Sequence, residues 1–420
     1  MPTVVADTSR IRFSAATLPR VADATLQHRC RVSMDDIEIV SGSSAISQLA
    51  PLWGEAAVHG GIGAFERFDL VREAAEAAAD LKSEPMVVVF RREGKVASLL
   101  ALRTERVMRA RVAIALVHPL AQYADTAGAA LTPEEFERAT QLLAQRGLNM
   151  LLLRKVREDS GLHAALASKG QSQSASETAL YIDLAAFGTL DAYEASFSST
   201  TRRNRRQRRQ KLEALAGPLS FAVLRGEDAL PAFEKALNWK RAWLADRGIA
   251  SPVFDSGAWE GLLRSMVLSG EGIVSALYAG DRLVAVELGF ADEATYIAYL
   301  GAFDPEFSSA SPGQEQMLRT IAWCFEQGFS RYDLLAPADD YKRQWTRKET
   351  GVAIDDYAVA LTVLGRGVAE VRRRVRPLAR SLYLRLSPEV RLAGERYGKP
   401  AAAVAAAAAL CAGAVLEAMS

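Results

Sequence analysis

Between Thr295 and Trp345 the spacing of apolar positions changes period twice. Over Thr295–Phe303 it alternates, as in a strand: Tyr296, Ala298 and Leu300 share one face, and Ile297, Tyr299 and Gly301 share the other. Asp304-Pro305 ends this run, and a Ser-rich loop leads to Ser311-Pro312-Gly313. There Ser311 is read as an N-cap, with Pro312 at the first helical position, where its missing N–H costs nothing. Met317, Leu318, Ile321, Ala322 and Phe325 then recur at helical spacing until Gly328, and Arg331–Leu335 reads as a second strand. A helix joins the two strands, so they are expected to be parallel. A polar segment, Tyr341-Lys342-Arg343-Gln344-Trp345, follows.

The same order of elements occurs earlier in the chain. Met86–Phe90 and Ala97–Leu102 flank a glycine turn, Val112–Val117 is a strand, and Thr132-Pro133 opens a helix that stops at Gly147 before the strand Leu148–Leu153. In the second half, Gly272–Tyr278 and Leu283–Phe290 flank Ala279-Gly280-Asp281-Arg282 ahead of the segment described above. The pattern predicts one α/β unit duplicated, with the copies meeting near residue 180 and a cleft between them or over the second. Chance agreement of two ordinary α/β segments is the alternative. Ile37–Val40 reads as a strand, and Ile46–Ala57 and Phe68–Leu81 as helices. Phe233–Arg247 reads as an amphipathic helix that buries Phe233, Leu237, Trp243 and Leu244. In that helix Trp239 and Lys240 are candidates for a cleft wall, with core packing as the alternative. The expected layout is a lead-in over 1–35, a first unit over 36–178, a second over 179–365, and an Arg-rich then Ala-rich helical tail over 366–420.

Charge separates the two copies. The first helix opens with Glu134-Glu135, which would repel a phosphate, whereas the second opens with Gly313-Gln314, with Glu315 one residue later. A helix N-terminus carries roughly half a positive charge, so the second copy is the better anion site and the first is read as structural. Seven of the ten residues Arg202–Lys211 are cationic, on a helix capped by Thr200 or Thr201 and reaching Leu215. Such density is expected to face an anionic acceptor, a surface or tRNA, because few carboxylates lie nearby in sequence to accompany its burial. A solvated helix neutralised by acidic neighbours is the alternative.

Composition narrows the remaining choices. The chain of 420 residues is 50% hydrophobic and 24% charged, with net charge +1, as for a globular protein of two or three domains. Cys30, Cys324 and Cys411 are scattered and form no CxxC, which points away from a disulfide framework or a zinc site. All four histidines (His28, His59, His118, His163) precede the second half, so a histidine base is not expected there. No secretory signal is seen, and a cytoplasmic location is expected. The run 401–416 is shorter than a bilayer span and mostly alanine, so spanning is not expected.

With these residues placed, the chain resembles the GNAT acyltransferase superfamily. Within it, the chain is most similar to tandem-GNAT proteins of the CelD type, which are related to the Fem aminoacyltransferases. The resemblance rests on Ser311-Pro312-Gly313 before the helix, then Asp333, Tyr341-Lys342 and Trp345, with the arginine-rich helix, Leu212-Glu213 and Phe221 as the lead-in. It covers roughly residues 37–362 and implies two tandem GNAT-like domains, mixed sheets with flanking helices. It also implies an acyl-CoA cosubstrate, acetyl-CoA above all, no metal, and a small-molecule or saccharide acceptor in exopolysaccharide or cell-envelope synthesis. The family's pyrophosphate loop, Gln/Arg-x-x-Gly-x-Gly/Ala, is represented only by Gly313.

On that reading Glu287 is the base. It is the one carboxylate inside the apolar strand Leu283–Phe290, where burial raises its pKa. A hairpin-face residue paired with an arginine is the alternative. Asp333 orients Lys342 or the substrate, or caps a turn. Tyr341 is the acid, and Lys342 clamps an anion. Ser311, Gly313, Gln314 and Lys342 hold the cofactor, and Arg205, Arg209, Trp239, Lys240 and Trp345 bind substrate. Tyr341 and Trp345, four apart, also fit a single apolar face. Two other functions share the resemblance. In a Fem-like aminoacyl-tRNA-dependent transferase the basic helix would meet RNA phosphates, although no sustained heptads of an inserted coiled coil are visible. The other is a non-catalytic polysaccharide-assembly factor.

Overall fold

The computed structural model describes residues 36–385, apart from 108, 169, 173–176, 250, 255 and 347–349. The lead-in 1–35 and the Ala-rich run 401–416 lie outside the described residues. The first half runs β1 (Ile37–Ser41), α1 (Ser43–Ile46), α2 (Ala50–Ala57), α3 (Phe68–Asp80), β2 (Pro85–Arg92), β3 (Lys95–Val107) and β4 (Ala110–Ala115). It continues with β5 (Ala127–Gly128), α4 (Pro133–Gln145), β6 (Met150–Arg157), α5 (His163–Ala167), β7 (Gln171–Ser172) and β8 (Glu177–Asp183). The second runs α6 (Leu184–Phe187), α7 (Leu190–Ala195), α8 (Ser199–Ala216), β9 (Leu219–Leu224), α9 (Leu230–Asp246), α10 (Gly257–Leu268), β10 (Ile273–Ala279) and β11 (Arg282–Ala291). Then follow β12 (Thr295–Phe303), α11 (Pro312–Gln327), β13 (Arg331–Asp333), α12 (Asp340–Arg343), β14 (Gly351–Ala360) and α13 (Val363–Arg385).

The repeated order of elements gives repeated pairing. β2, β3 and β4 are antiparallel neighbours, and β4 meets β6 in parallel across α4. β10, β11 and β12 are likewise antiparallel, and β12 meets β13 in parallel across α11. Both parallel pairs are short. Val112–Ile114 faces Met150–Leu152, and Thr295–Ile297 faces Arg331–Asp333. Beyond Ile297, β12 runs on to Phe303 without β13 beside it.

The halves meet through a strand exchange that the local pattern did not suggest. β14, which follows the whole second half, pairs with β6 of the first along Ile354–Ala360. β8 pairs with β13 on one side and β14 on the other. Among the described residues the strands thus form one 14-stranded sheet. One core serves both halves: Trp53, Val71 and Leu99 pack in the same cluster as Phe233, Trp259 and Phe290. The opposite face of the second half is covered by α11, whose Ile321 packs in one cluster with Tyr296 and Tyr332.

Several local readings are corrected. Ile46–Ala57 is two helices, with a turn at Ser47-Gln48 before the chain restarts through Pro51. In α9 it is Trp239 that is buried, while Trp243 is 40% exposed with Lys240 and Arg247 over its ring. The face is decided by the α9 contacts with β11 and β12, not by spacing alone. On β12, Leu288 pairs with Leu300 and Gly289 with Ala298, so Tyr299 is an extra residue. This bulge inverts the alternation beyond it. Leu300 joins Ile297 in the shared core, and Gly301 and Phe303 turn toward α11.

Candidate functional site

The chemistry of the second half gathers under α11. Glu287 lies mid-strand on β11, with Ser275 of β10 and Gly301 of β12 directly across from it. It is 6% exposed. The Tyr332 hydroxyl lies 2.7 and 2.8 Å from its two oxygens, and the Tyr296 hydroxyl lies 3.1 Å from Oε1. Burial pushes the carboxyl up to about 7, against the two phenols, which pull it down. Tyr296 reaches it because residue 289 is glycine: a Cβ there would fall 2.2 Å from the Tyr296 hydroxyl. Across the sheet, Gly301 is exposed, with nothing within 4 Å of where its Cβ would stand. The wall of a buried carboxylate is therefore open on the β12 side, just where β12 has left β13.

The rim of this opening is the start of α11. Ser311 stands at the N-cap position of α11, as expected, but without the usual capping geometry. It adopts the left-handed conformation (φ 52°), and its side chain makes no capping bond. Its N–H donates to the Ser308 carbonyl, closing the preceding helical turn, Pro305–Ala310, while its carbonyl accepts from Gln314 N at the start of α11. A Cβ on Gly313 would touch only the Phe303 ring, at 3.4 Å. The corresponding helix of the first half is closed. Thr132 and Glu135 form a reciprocal capping box, and Arg92 grips Glu135 at 2.7 and 2.8 Å.

The basic helix α8 packs beside α11, capped by Ser198 in place of the expected Thr200 or Thr201. None of its seven cations is fully buried, and Arg203, Arg206 and Lys211 are exposed. Two of its arginines expected to bind substrate are engaged within the chain. Arg209 holds the buried Glu315 at 3.0 Å, which Arg319 also contacts at 2.8 Å. Arg205 lies between two rings, 4.1 Å from that of Phe197 and 4.4 Å from that of Trp345, near Glu194. Glu315 is remote in sequence, so a search for nearby acids does not find it. Arg208, which no sequence signal singled out, reaches the Gln314 side-chain carbonyl at the α11 rim. Arg205→Gln should lower the unfolding free energy by about 1–3 kcal/mol, while Arg206→Gln should stay within about 0.5 kcal/mol. Urea titrations of the two variants giving the same midpoint would show that the ring sandwich holds nothing.

The other candidates divide. Trp345, expected to bind substrate, is buried core, and its carbonyl accepts from the Tyr193 hydroxyl at 2.9 Å. Trp239 is core as well. Lys240 is half-buried, its ammonium pushed down by burial and then by Lys342 and Arg247. Lys342 is no free clamp: its Nζ donates to the carbonyls of Leu335 and Pro337 at 3.1 and 3.0 Å. Asp333 does not orient it. The Asp333 carboxylate accepts from Tyr123 (2.8 Å), Arg157 (2.6 Å) and Leu335 N (2.7 Å). Tyr341 is 44% exposed, with its hydroxyl on Met317 Sδ at 3.1 Å, pushed up by burial and then by the Glu287 charge. Sequence reasoning missed Tyr332 because its place over Glu287 depends on the β12–β13 register. Among the described residues no group of three His, Cys, Asp or Glu could hold a metal ion.

Comparison with known proteins agrees with this architecture. Residues 199–343 match the acetyltransferase (GNAT) domain family. No curated protein matches the sequence. The structure of FemX aligns with a TM-score of 0.50 at 11% identity, covering 72% of this chain and 93% of FemX. A conserved protein of unknown function from Bacteroides thetaiotaomicron VPI-5482 aligns at 0.49 and 9%, covering 77% and 100%. A tandem GNAT protein from the clavulanic acid biosynthesis pathway aligns at 0.42 and 12%, covering 77% and 98%. The mixed sheet with flanking helices is the tandem GNAT-like fold expected from the sequence, with the family match falling on the half that holds Glu287.

Proposed function

We propose that the second half transfers an acyl group from an acyl-coenzyme A, acetyl-CoA in the first instance, to an amine or hydroxyl of a small-molecule or saccharide acceptor. The observation that carries this reading is the opening beyond Ile297 and Asp333, where the buried Glu287 faces the bare Gly301 beneath the uncapped start of α11. The CelD-type resemblance supports an acceptor from exopolysaccharide or cell-envelope synthesis.

The residues present fit such a thioester donor. The first amides of α11, with no side-chain cap, and Arg208 beside them suit phosphates. The unpaired edge of β12 from Ala298 to Phe303 suits an extended amide-bearing chain. Glu287, titrating near neutral pH, takes the proton from the acceptor's amine or hydroxyl as that atom bonds to the acyl carbon. The carbon–sulfur bond breaks, and the thiolate leaves with its electron pair. The Tyr341 hydroxyl, pushed up in pKa, stays protonated and is the proposed hydrogen-bond donor to that sulfur, giving up its contact with Met317 Sδ. Tyr332 and Tyr296 hold the carboxylate in place and are positioning residues.

Gly313→Glu separates binding from folding. A carboxylate in the first turn complements the helix dipole, so stability should hold or rise by about 0.3–1 kcal/mol. The same charge should weaken acetyl-CoA binding on the order of tenfold or more, since it faces the phosphates. Calorimetry on the full chain tests this, and unchanged affinity would remove α11 from the donor site. The function itself is tested by release of free thiol from acetyl-CoA and longer acyl-CoAs across amine and saccharide acceptors. No binding of any acyl-CoA would refute it.

A further inference from the structure

The seven cations of α8 divide into two sets. Arg205 and Arg209 pair with Glu194 and Glu315. Arg202, Arg203, Arg206, Arg208 and Lys211 pair with no carboxylate among the described residues. Of these, Arg208 and Lys211 bond to neutral oxygens, the Gln314 side chain and the Ser309 carbonyl, the latter at 3.0 Å. The helix carries a single acid of its own, the half-buried Glu213. The positive charge of this surface is therefore not cancelled by the described parts of the protein.

Exposed side chains recur at Arg203, Arg206, Gln207 and Gln210, the i, i+3, i+4, i+7 spacing of one helix face. Asn204 and Lys211, also exposed, flank that face on one side, and the half-buried Arg202 flanks it on the other. Leu212 is the helix's buried residue. The outward face thus offers guanidiniums and primary amides, with no carboxylate, ring or apolar side chain among them. Its composition narrows the partner. Entry into a membrane interface calls for an apolar flank. A protein hot spot or a single-stranded nucleic acid calls for aromatic side chains. Guanidinium forks match carboxylates, and amides, which both donate and accept, match hydroxyls. From Arg203 to Gln210 the face runs about 10 Å and is convex, which suits an extended chain and not an enclosed small molecule.

We propose that the outward face of α8 binds an acidic polysaccharide, with Arg203 and Arg206 on its carboxylates and Gln207 and Gln210 on its hydroxyls. Arg208 and Lys211 continue the positive charge from this face toward α11 and the turn before it. The binding does not depend on the acyl transfer proposed above, and it is measured without acyl-CoA. Attraction of this kind weakens as salt shortens the reach of charge.

The test is fluorescence anisotropy of labelled polygalacturonate titrated with the full chain, beside dextran, poly-glutamate and a duplex RNA. Polygalacturonate should bind and neutral dextran should not, with affinity falling on the order of tenfold between about 50 and 500 mM salt. Poly-glutamate, which has the carboxylates but not the hydroxyls, should bind several-fold more weakly. Arg203→Gln with Arg206→Gln should weaken polygalacturonate binding on the order of tenfold. Gln207→Ala with Gln210→Ala should weaken it several-fold and leave poly-glutamate binding unchanged. All four positions are exposed, so the thermal midpoints should hold, and the wild-type comparisons decide the matter whatever the variants do. No binding of polygalacturonate, or binding that survives the arginine pair, would overturn the proposal. Equal binding of poly-glutamate would reduce the face to an ion exchanger, and tighter binding of the duplex RNA would assign it to nucleic acid; either result overturns it too.

Discussion

Glu287→Gln should lower kcat/KM for acyl transfer by about 10²–10⁴, the range ascribed to a positioned general base. It should do so without unfolding the protein. The amide is isosteric, and its oxygen can still accept from the Tyr332 and Tyr296 hydroxyls that now hold the carboxylate. With a hydroxyl acceptor, which does not titrate in this range, wild-type kcat/KM should rise with pH and level off above about 7, where Glu287 is ionised. The variant's residual rate should show no such rise. Activity within threefold of wild type would make Glu287 a structural carboxylate.

The same group has a signature in stability of opposite sense. Its pKa in the folded chain, about 7, is above its ordinary value of 4.5, so between those values the native state binds the extra proton. Stability from this group is therefore fully present below about pH 4.5 and is lost as pH rises through 7. Its size is on the order of 3 kcal/mol, since each unit of displacement is about 1.4 kcal/mol. The glutamine, which cannot ionise, does not suffer that loss. Glu287→Gln should be no less stable than wild type at pH 8, while wild type should gain on it at pH 5. A variant strongly destabilised at pH 8 would show that the carboxylate, once charged, is held more firmly than burial implies. The predicted combination, activity lost and stability kept, is that of a strained functional group.

Glu287 was legible in the sequence because a carboxylate inside an apolar strand is costly and therefore conspicuous. The strand–helix–strand units were legible because each is closed by contacts within some tens of residues, and the period of apolar positions encodes those contacts. What depends on register or on distant pairing was not. The bulge at Tyr299 adds one residue, which local alternation cannot show, and it moves Leu300 to the other face. The placement of Tyr332 over Glu287 and of β14 beside β6 needs the sheet order. The basic helix showed its charge but not its partners, because Glu315 and the rings of Phe197 and Trp345 come to it from separate elements. In α9 two tryptophans four residues apart fit the same amphipathic pattern, and only the packing against β11 and β12 selects Trp239.

Replacing Asp333 with alanine should cost about 3–5 kcal/mol of stability, the range found when one member of a buried ion pair is removed and its partner stays. Asp333 is 2% exposed and joins the halves: Tyr123 and Arg157 come from the first, and the β13 strand that carries it comes from the second. Alanine leaves the Arg157 guanidinium beside the Tyr123 ring, 4.8 Å from its centroid, with Asp159 as its remaining acid. It also releases Leu335 N, and Leu335 sits at a positive φ of 62°, leaving the bond from Lys342 Nζ to its carbonyl and its burial to hold that conformation. Since β12 and β13 part at this residue, loosening it should widen the opening beside Glu287 and reduce turnover, although Asp333 touches no reacting atom. Two further variants distinguish this from a general loss of packing. Asp333→Asn keeps an acceptor for Leu335 N and should cost less than alanine. Arg157→Met in the alanine background removes the stranded charge and should recover part of the stability. Urea unfolding of the four proteins measures all of this. A cost below about 1 kcal/mol for Asp333→Ala, or no recovery from Arg157→Met, would show that the halves are held by their shared apolar core and not by this bridge.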